Sequence, residues 1–265
     1  MDPFLPLILV FLQTETADAR RVAFLKAVER HLFVASLLNR YYGRPYLPRV
    51  DPKILLSAIE LSTGKLSGEK VTRDITETTT SILKQSDVMK AVQDHFSTDG
   101  FYNWSGRRYF LFEYNLDLQS RSKTDRPNIF WPEFTERRQD YVSVEHIYPQ
   151  YARDRYWTSR LEGFSQKQRS TLRNSLGNPL PLSKPKNSSL SNKPFPEKVD
   201  GKGDPVVGYR YGCYAENEVA SYPEWTPKEI LHRGLKMLSF MEKRWDLPLG
   251  DEKQKKRMLG LDFMK

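Results

Sequence analysis

The chain of 265 residues has one cysteine, Cys213. No disulfide can form within it, and a cysteine-rich zinc site is excluded. A reducing cytoplasm is the simplest compartment for such a chain. Long apolar runs are also missing. The N-terminal stretch Phe4–Leu12 is about nine residues, too short to span a bilayer. It lacks the basic leading region and small-residue cleavage site of a signal peptide. It reads as a buried helix, so no membrane partner is expected. An apolar opening this abrupt, without a cap, suggests a fragment cut from a longer protein. There is no glycine-rich phosphate loop, no internal repeat and no long low-complexity segment.

What is present is positive charge. Lys and Arg number 42 against 33 Asp and Glu, for a formal net charge of +9 and a pI near 9.4. That balance suits a polyanion, although it does not by itself separate nucleic acid from an anionic membrane. Its distribution is more specific. Between His146 and Asp200 there are ten basic residues and four acidic ones, a net of +6 in about a fifth of the chain. A solvated loop region would show the same excess.

Apolar spacing predicts helices in the first half. Residues 18–40 place Val22, Leu25, Val28, Leu32 and Ser36 near one face. Asp51-Pro52 marks a helix start, with the helix ending near Gly64. One helix or a pair fits 72–97, with the threonine cluster 76–80 unfavourable in its middle. Residues 106–118 fit an aromatic-rich helix, with a strand as the alternative. From about residue 120 the texture changes. Tyr141–Ile147 alternates like a strand. Ser165-x-x-Gln168 is a capping box that opens a basic helix reaching Leu176. Residues 178–182 look extended, and a short helix follows from about Ser183 to Leu190. Thr226-Pro227-Lys228-Glu229 starts a helix predicted to bury Leu231, Leu235, Leu238, Met241 and Trp245. The Lys253–Arg257 cluster reads as a solvated tail. His31, His95 and His232 sit in helical patterns and read as surface or boundary residues.

The stretch that carries chemistry is Val144-Glu145-His146-Ile147-Tyr148-Pro149-Gln150. It is answered downstream by Asn178 and, nine residues later, Asn187. Phosphodiester hydrolysis needs a base for the attacking water and positive charge at the phosphate and the leaving oxygen. A neutral histidine suits the first task. One divalent cation on a carboxylate and a carboxamide oxygen suits the second, and such oxygen donors favour Mg²⁺ or Mn²⁺ over zinc. Glu145 and His146 are adjacent on a strand and so point to opposite sides. Asn187 falls early in the short helix, where it can face the same metal. Asn178 can pin the loop presenting His146 by bonding its backbone. Lys184, Lys186 and Lys198 are candidates for phosphate contacts, as are Arg169 and Arg173 on the basic helix. A lone Glu-His pair is commonly structural, and Asn beside Gly or Pro is commonly a turn residue. The specificity lies in the set, which Phe195-x-x-Lys198 completes.

That set resembles the HNH (ββα-metal) domain of CRISPR RNA-guided nucleases. More closely, residues 140–245 resemble the C-terminal nuclease domain of GmrSD-type, modification-dependent restriction enzymes, whose relatives include SspE of phosphorothioate-based defence. The matching residues are Glu145–Pro149, Gly177–Ser183, Asn187–Lys198, Trp225, Arg233 and Trp245. The resemblance implies metal-dependent cleavage or nicking of DNA in antiphage defence. His146 would be the general base, Glu145 and Asn187 the metal ligands, and Asn178 a structural support. It also implies a partner absent from the chain, an N-terminal NTP-binding sensor domain of the same protein. Two departures stand out. The interval from His146 to Asn178 holds an inserted helix, and Pro179 and Pro181 replace apolar residues in the second strand, which predicts one-sided pairing.

The expected fold is mainly α, a helical bundle with an inserted ββα-metal motif. Residues 1–125 form a helical region, 126–204 the nuclease core, and 205–265 a closing segment packed on the N-terminal helices. The competing function is a DNA-binding module whose motif is vestigial.

Overall fold

A computed structural model describes residues 4–38, 52–85, 87–97, 100–122, 130–132 and 143–264. These are mainly helical, with one two-stranded sheet. The chain divides into two compact units, residues 1–95 and 96–265.

In the first unit the apolar opening forms α1 (Leu5–Thr14), which buries Leu7 and Phe11. α2 (Asp18–Leu38) follows. Glu15 links the two, accepting from the Ala17 amide at 2.9 Å and from Arg20 Nε at 2.7 Å. α3 (Pro52–Ser62), α4 (Gly68–Gln85) and α5 (Val88–Ser97) come next. Asp51, the expected cap of α3, lies outside the described residues. The core gathers Phe4, Leu7, Phe11, Phe24, Val28, Ala58, Leu61 and Val71, with Phe11 stacked on Phe24 at 3.8 Å.

Three expectations are corrected here. The buried face of α2 runs through Phe24, Val28, His31 and Leu38, whereas Val22 and Leu25 are exposed. His31 is therefore a buried residue, its Nδ1 2.9 Å from Thr79 Oγ1. The threonine cluster does not interrupt α4. Thr72, Thr76, Thr79 and Thr80 each donate to the carbonyl four residues back, which satisfies the hydroxyls without leaving the helix.

The second unit begins with Phe96 and a 3-10 turn at Phe101–Asn103, then α6 (Arg107–Ser120). A helix, not a strand, forms there, with Phe110, Leu111, Phe112, Tyr114 and Asn115 buried. The expected connection at Pro127 lies outside the described residues. β1 (Ser143–His146) follows, then α7 (Arg155–Arg160) and α8 (Gln166–Asn174), which opens on the Ser165/Gln168 capping box. β2 (Pro179–Leu182) leads into α9 (Lys184–Leu190) and α10 (Phe195–Asp200). α11 (Tyr214–Ala220), α12 (Pro227–Trp245) and α13 (Glu252–Met258) close the chain.

The strands are antiparallel, with Ser143 opposite Leu182, Val144 opposite Pro181, Glu145 opposite Leu180 and His146 opposite Pro179. The prolines thus occupy alternate rungs, and Leu180 and Leu182 keep the strand's donors where the ladder needs them. The carbonyls of Gly177 and Pro179 are taken by Arg233 Nη1 of α12, each at 2.8 Å. β2 therefore pairs with β1 and is capped by α12. α12 buries Ile230, Arg233, Gly234, Met237, Leu238, Met241 and Trp245, while Leu231 and Leu235 are only half-buried. The Lys253–Arg257 cluster is no tail. It lies on α13, which starts on an Asp251/Gln254 capping box and buries Met258. Among the described residues no helix is long and apolar enough to cross a membrane.

Candidate functional site

β1, β2 and α9 bring Glu145, His146 and Asn187 to one cleft of about 430 Å³, together with Tyr102, Gln150, Tyr151 and Asn192. The two adjacent residues of β1 have separate partners. Glu145 turns inward, where its carboxylate is paired with Lys198 of α10. Lys198 is wholly buried and donates as well to the carbonyls of His146 and Ile147, both at 3.2 Å. One ammonium thus ties the acid to the backbone just beyond the histidine. Burial raises the Glu145 pKa and lowers that of Lys198, and each opposes the other's shift through the ion pair. Tyr209, also wholly buried, faces the same carboxylate. Burial first and then that negative charge raise its pKa well above the usual phenol value.

His146 is buried, and desolvation lowers its pKa to about 4. A hydrogen bond to the Asn174 carboxamide oxygen opposes that shift, and the charges of Arg173, Lys198 and Arg107 add to it. The imidazole is therefore neutral near pH 7, the state in which it can accept a proton. Its ring stacks on Tyr102, with centroids 3.7 Å apart. Its Nε2 lies 3.4 Å from Asn174 Oδ1.

Asn178 is buried behind the loop that leaves β1. Its Oδ1 accepts from the Tyr148 amide at 2.8 Å and from Trp225 Nε1 at 3.2 Å. Its Nδ2 donates to the carbonyls of Tyr148 at 3.0 Å and Arg173 at 2.8 Å. All four hydrogen-bonding positions of the carboxamide are filled, and the loop after His146 is clasped to the end of α8. Gly177 makes this approach feasible, since a Cβ there would stand 1.9 Å from the Ile230 carbonyl oxygen of α12. Asn187, half-buried on α9, donates from Nδ2 to Ser143 Oγ. Among the described residues its carboxamide oxygen and its second N–H have no hydrogen-bond partner.

The expected phosphate contacts separate into three groups. Lys184 is exposed, and Arg169 and Arg173 are half-buried on α8. Lys186 is 2.9 Å from the buried Glu216 carboxylate. Lys198 is sealed against Glu145, and a side chain with no exposed surface does not meet a phosphate. Tyr102, Asn174 and Ser143 are site residues that sequence reading missed. Asn174 carried a faint signal, an asparagine ending a capped helix four residues before Asn178.

Among the described residues no group of three or more His, Cys, Asp and Glu could hold a metal ion. The oxygen donors on the cleft include the Glu145 carboxylate and the carboxamides of Asn187, Gln150 and Asn192. Oxygen donors are the type a hard divalent cation takes, although Glu145 Oε1 is already held by Lys198.

A family model described as GmrSD restriction endonucleases, C-terminal domain, matches residues 87–240. No curated protein and no solved structure matches the chain.

Proposed function

The chain belongs to the GmrSD restriction endonuclease C-terminal domain family, a nuclease domain of the restriction-endonuclease type whose model covers more than half of it, and we propose that it is a metal-dependent HNH endonuclease or nickase acting on DNA in restriction-type defence. The observation that carries this reading is the neutral, cleft-lining His146, placed on a strand–strand–helix unit beside Glu145 and Asn187. His146 takes a proton from water as the water oxygen bonds to phosphorus. The bond from phosphorus to the leaving sugar oxygen breaks, and that oxygen takes up a proton from solvent. Glu145 and Asn187 would hold one Mg²⁺ or Mn²⁺, which supplies positive charge for the phosphate and the leaving oxygen. Asn178 and Lys198 fix the backbone that follows the histidine. Lys184, Arg169 and Arg173 supply positive charge for the DNA backbone.

A second reading, a DNA-binding module without turnover, is favoured by one observation. Lys198 holds Glu145 Oε1, one of the oxygens a metal would use. Incubating supercoiled plasmid with Mg²⁺, with Mn²⁺ or with EDTA decides between them. Nicked or linear product that EDTA abolishes supports the nuclease. Plasmid that stays intact under every condition but is bound at low salt supports the binding module.

A further inference from the structure

His146 is held by two residues that arrive from outside its own strand. The Tyr102 ring lies 3.7 Å from the imidazole, tilted by 26°. Its hydroxyl donates to the Val144 carbonyl at 3.1 Å, which anchors the stacked ring to β1. The second residue is Asn174, the last of α8, with Oδ1 3.4 Å from Nε2. The two meet because of Gly100. Its φ is +65°, and a Cβ there would stand 2.5 Å from Asn174 Cβ and 2.6 Å from the Asn174 carbonyl oxygen. Only glycine lets the turn carrying Tyr102 close on the end of α8.

A neutral imidazole has one N–H and one lone pair, and whatever its nitrogens meet decides which is which. A carboxamide oxygen accepts and does not donate. Set against Nε2, it selects the tautomer protonated there and leaves the lone pair on Nδ1. Stacking on Tyr102 restricts rotation of the ring, so both the identity and the direction of the basic nitrogen are settled before DNA arrives.

We propose that Asn174 and Tyr102 are positioning residues that hold His146 in the Nε2–H tautomer, with Nδ1 as its basic nitrogen. The catalytic meaning of this clamp rests on His146 being the general base, but the clamp itself can be read without any cutting.

The test is nitrogen-15 NMR of the full chain, labelled in histidine, near neutral pH, with His146→Ala used to identify the signals. In the unaltered chain His146 is expected to show an N–H-type Nε2 and a lone-pair-type Nδ1. Asn174→Asp keeps an acceptor and should keep that pattern. Asn174→Ala should give a mixture of tautomers and lower kcat by about 10- to 100-fold with KM little changed, the scale known for hydrogen-bonding partners of metal-ligating residues. Tyr102→Phe should retain most activity and Tyr102→Leu should not. An Nδ1–H ring in the unaltered chain, or an Asn174→Ala chain with an unchanged tautomer, would overturn the proposal. If the unaltered chain cuts nothing while the tautomers behave as stated, the clamp stands and the general-base role falls.

Discussion

Lys198 shows how burial changes a residue's function. In sequence it closes a motif beside other lysines and reads as a phosphate contact. In the fold the six-residue α10 turns it inward onto Glu145 and two carbonyls. Nothing in Phe195-x-x-Lys198 tells which side of so short a helix faces the core. Replacing Lys198 with Met leaves a carboxylate buried and unpaired. Unfolding by denaturant should show a loss of about 3–5 kcal/mol, much of it recovered when Glu145→Gln is added. A double variant no more stable than Lys198→Met would contradict the pairing. Asn178 was easier to read, because Gly-Asn-Pro after a capped helix marks a turn, although its partners Trp225 and Arg173 are set by tertiary structure. Asn178→Ala strands the Tyr148 amide and the Trp225 indole N–H, and should cost about 2–4 kcal/mol in the same measurement.

Elements with strong local signals were legible. The Ser165/Gln168 and Thr226/Glu229 boxes open α8 and α12 at those residues. Signals that depend on the far side of an element were not. The exposed Val22 and Leu25 are as apolar as their buried neighbours, and only the packing of α2 on α4 selects the face. The prolines of β2 are tolerated because they occupy alternate rungs and because Arg233 closes the outer edge, neither of which four residues can announce. Gly177→Ala would drive a methyl group into the Ile230 carbonyl, so β2 must move off α12. Lower thermal stability and weaker cutting are expected together.

The tie among α6, α11 and α12 also has a pH dependence. Burial pushes the Glu218 carboxyl up. Arg233, Lys236 and the Tyr114 hydroxyl outweigh it, so its pKa falls below the usual carboxylate value. A group depressed in the folded state contributes stability above its unfolded pKa and loses it as pH falls through the folded value. Unfolding midpoints compared at neutral and acidic pH should therefore show Glu218→Gln costing more at neutral pH, with the gap closing under acid. An equal cost at both would contradict this.

At the scale of the molecule, the basic balance, the mainly helical class and the nuclease family were all readable from composition and motif. The division at residues 95 and 96 was not, because helical periodicity runs continuously through 88–97 and carries no mark of where contacts change partners. If the exposed Lys184 and the half-buried Arg169 and Arg173 are the phosphate contacts, three charges set the salt dependence. DNA affinity should then fall roughly 40-fold between 50 and 200 mM salt, checked by fluorescence anisotropy on a labelled duplex. An affinity indifferent to salt would remove DNA as the partner of this face.

The most direct measurement is plasmid cleavage by the His146→Ala chain beside the unaltered one, in Mg²⁺ or Mn²⁺, with folding and DNA binding checked in parallel. Cutting by the unaltered chain, abolished in a variant that still folds and binds DNA, is the expected result. Undiminished cutting by His146→Ala would contradict the account and move the reaction to another part of the molecule.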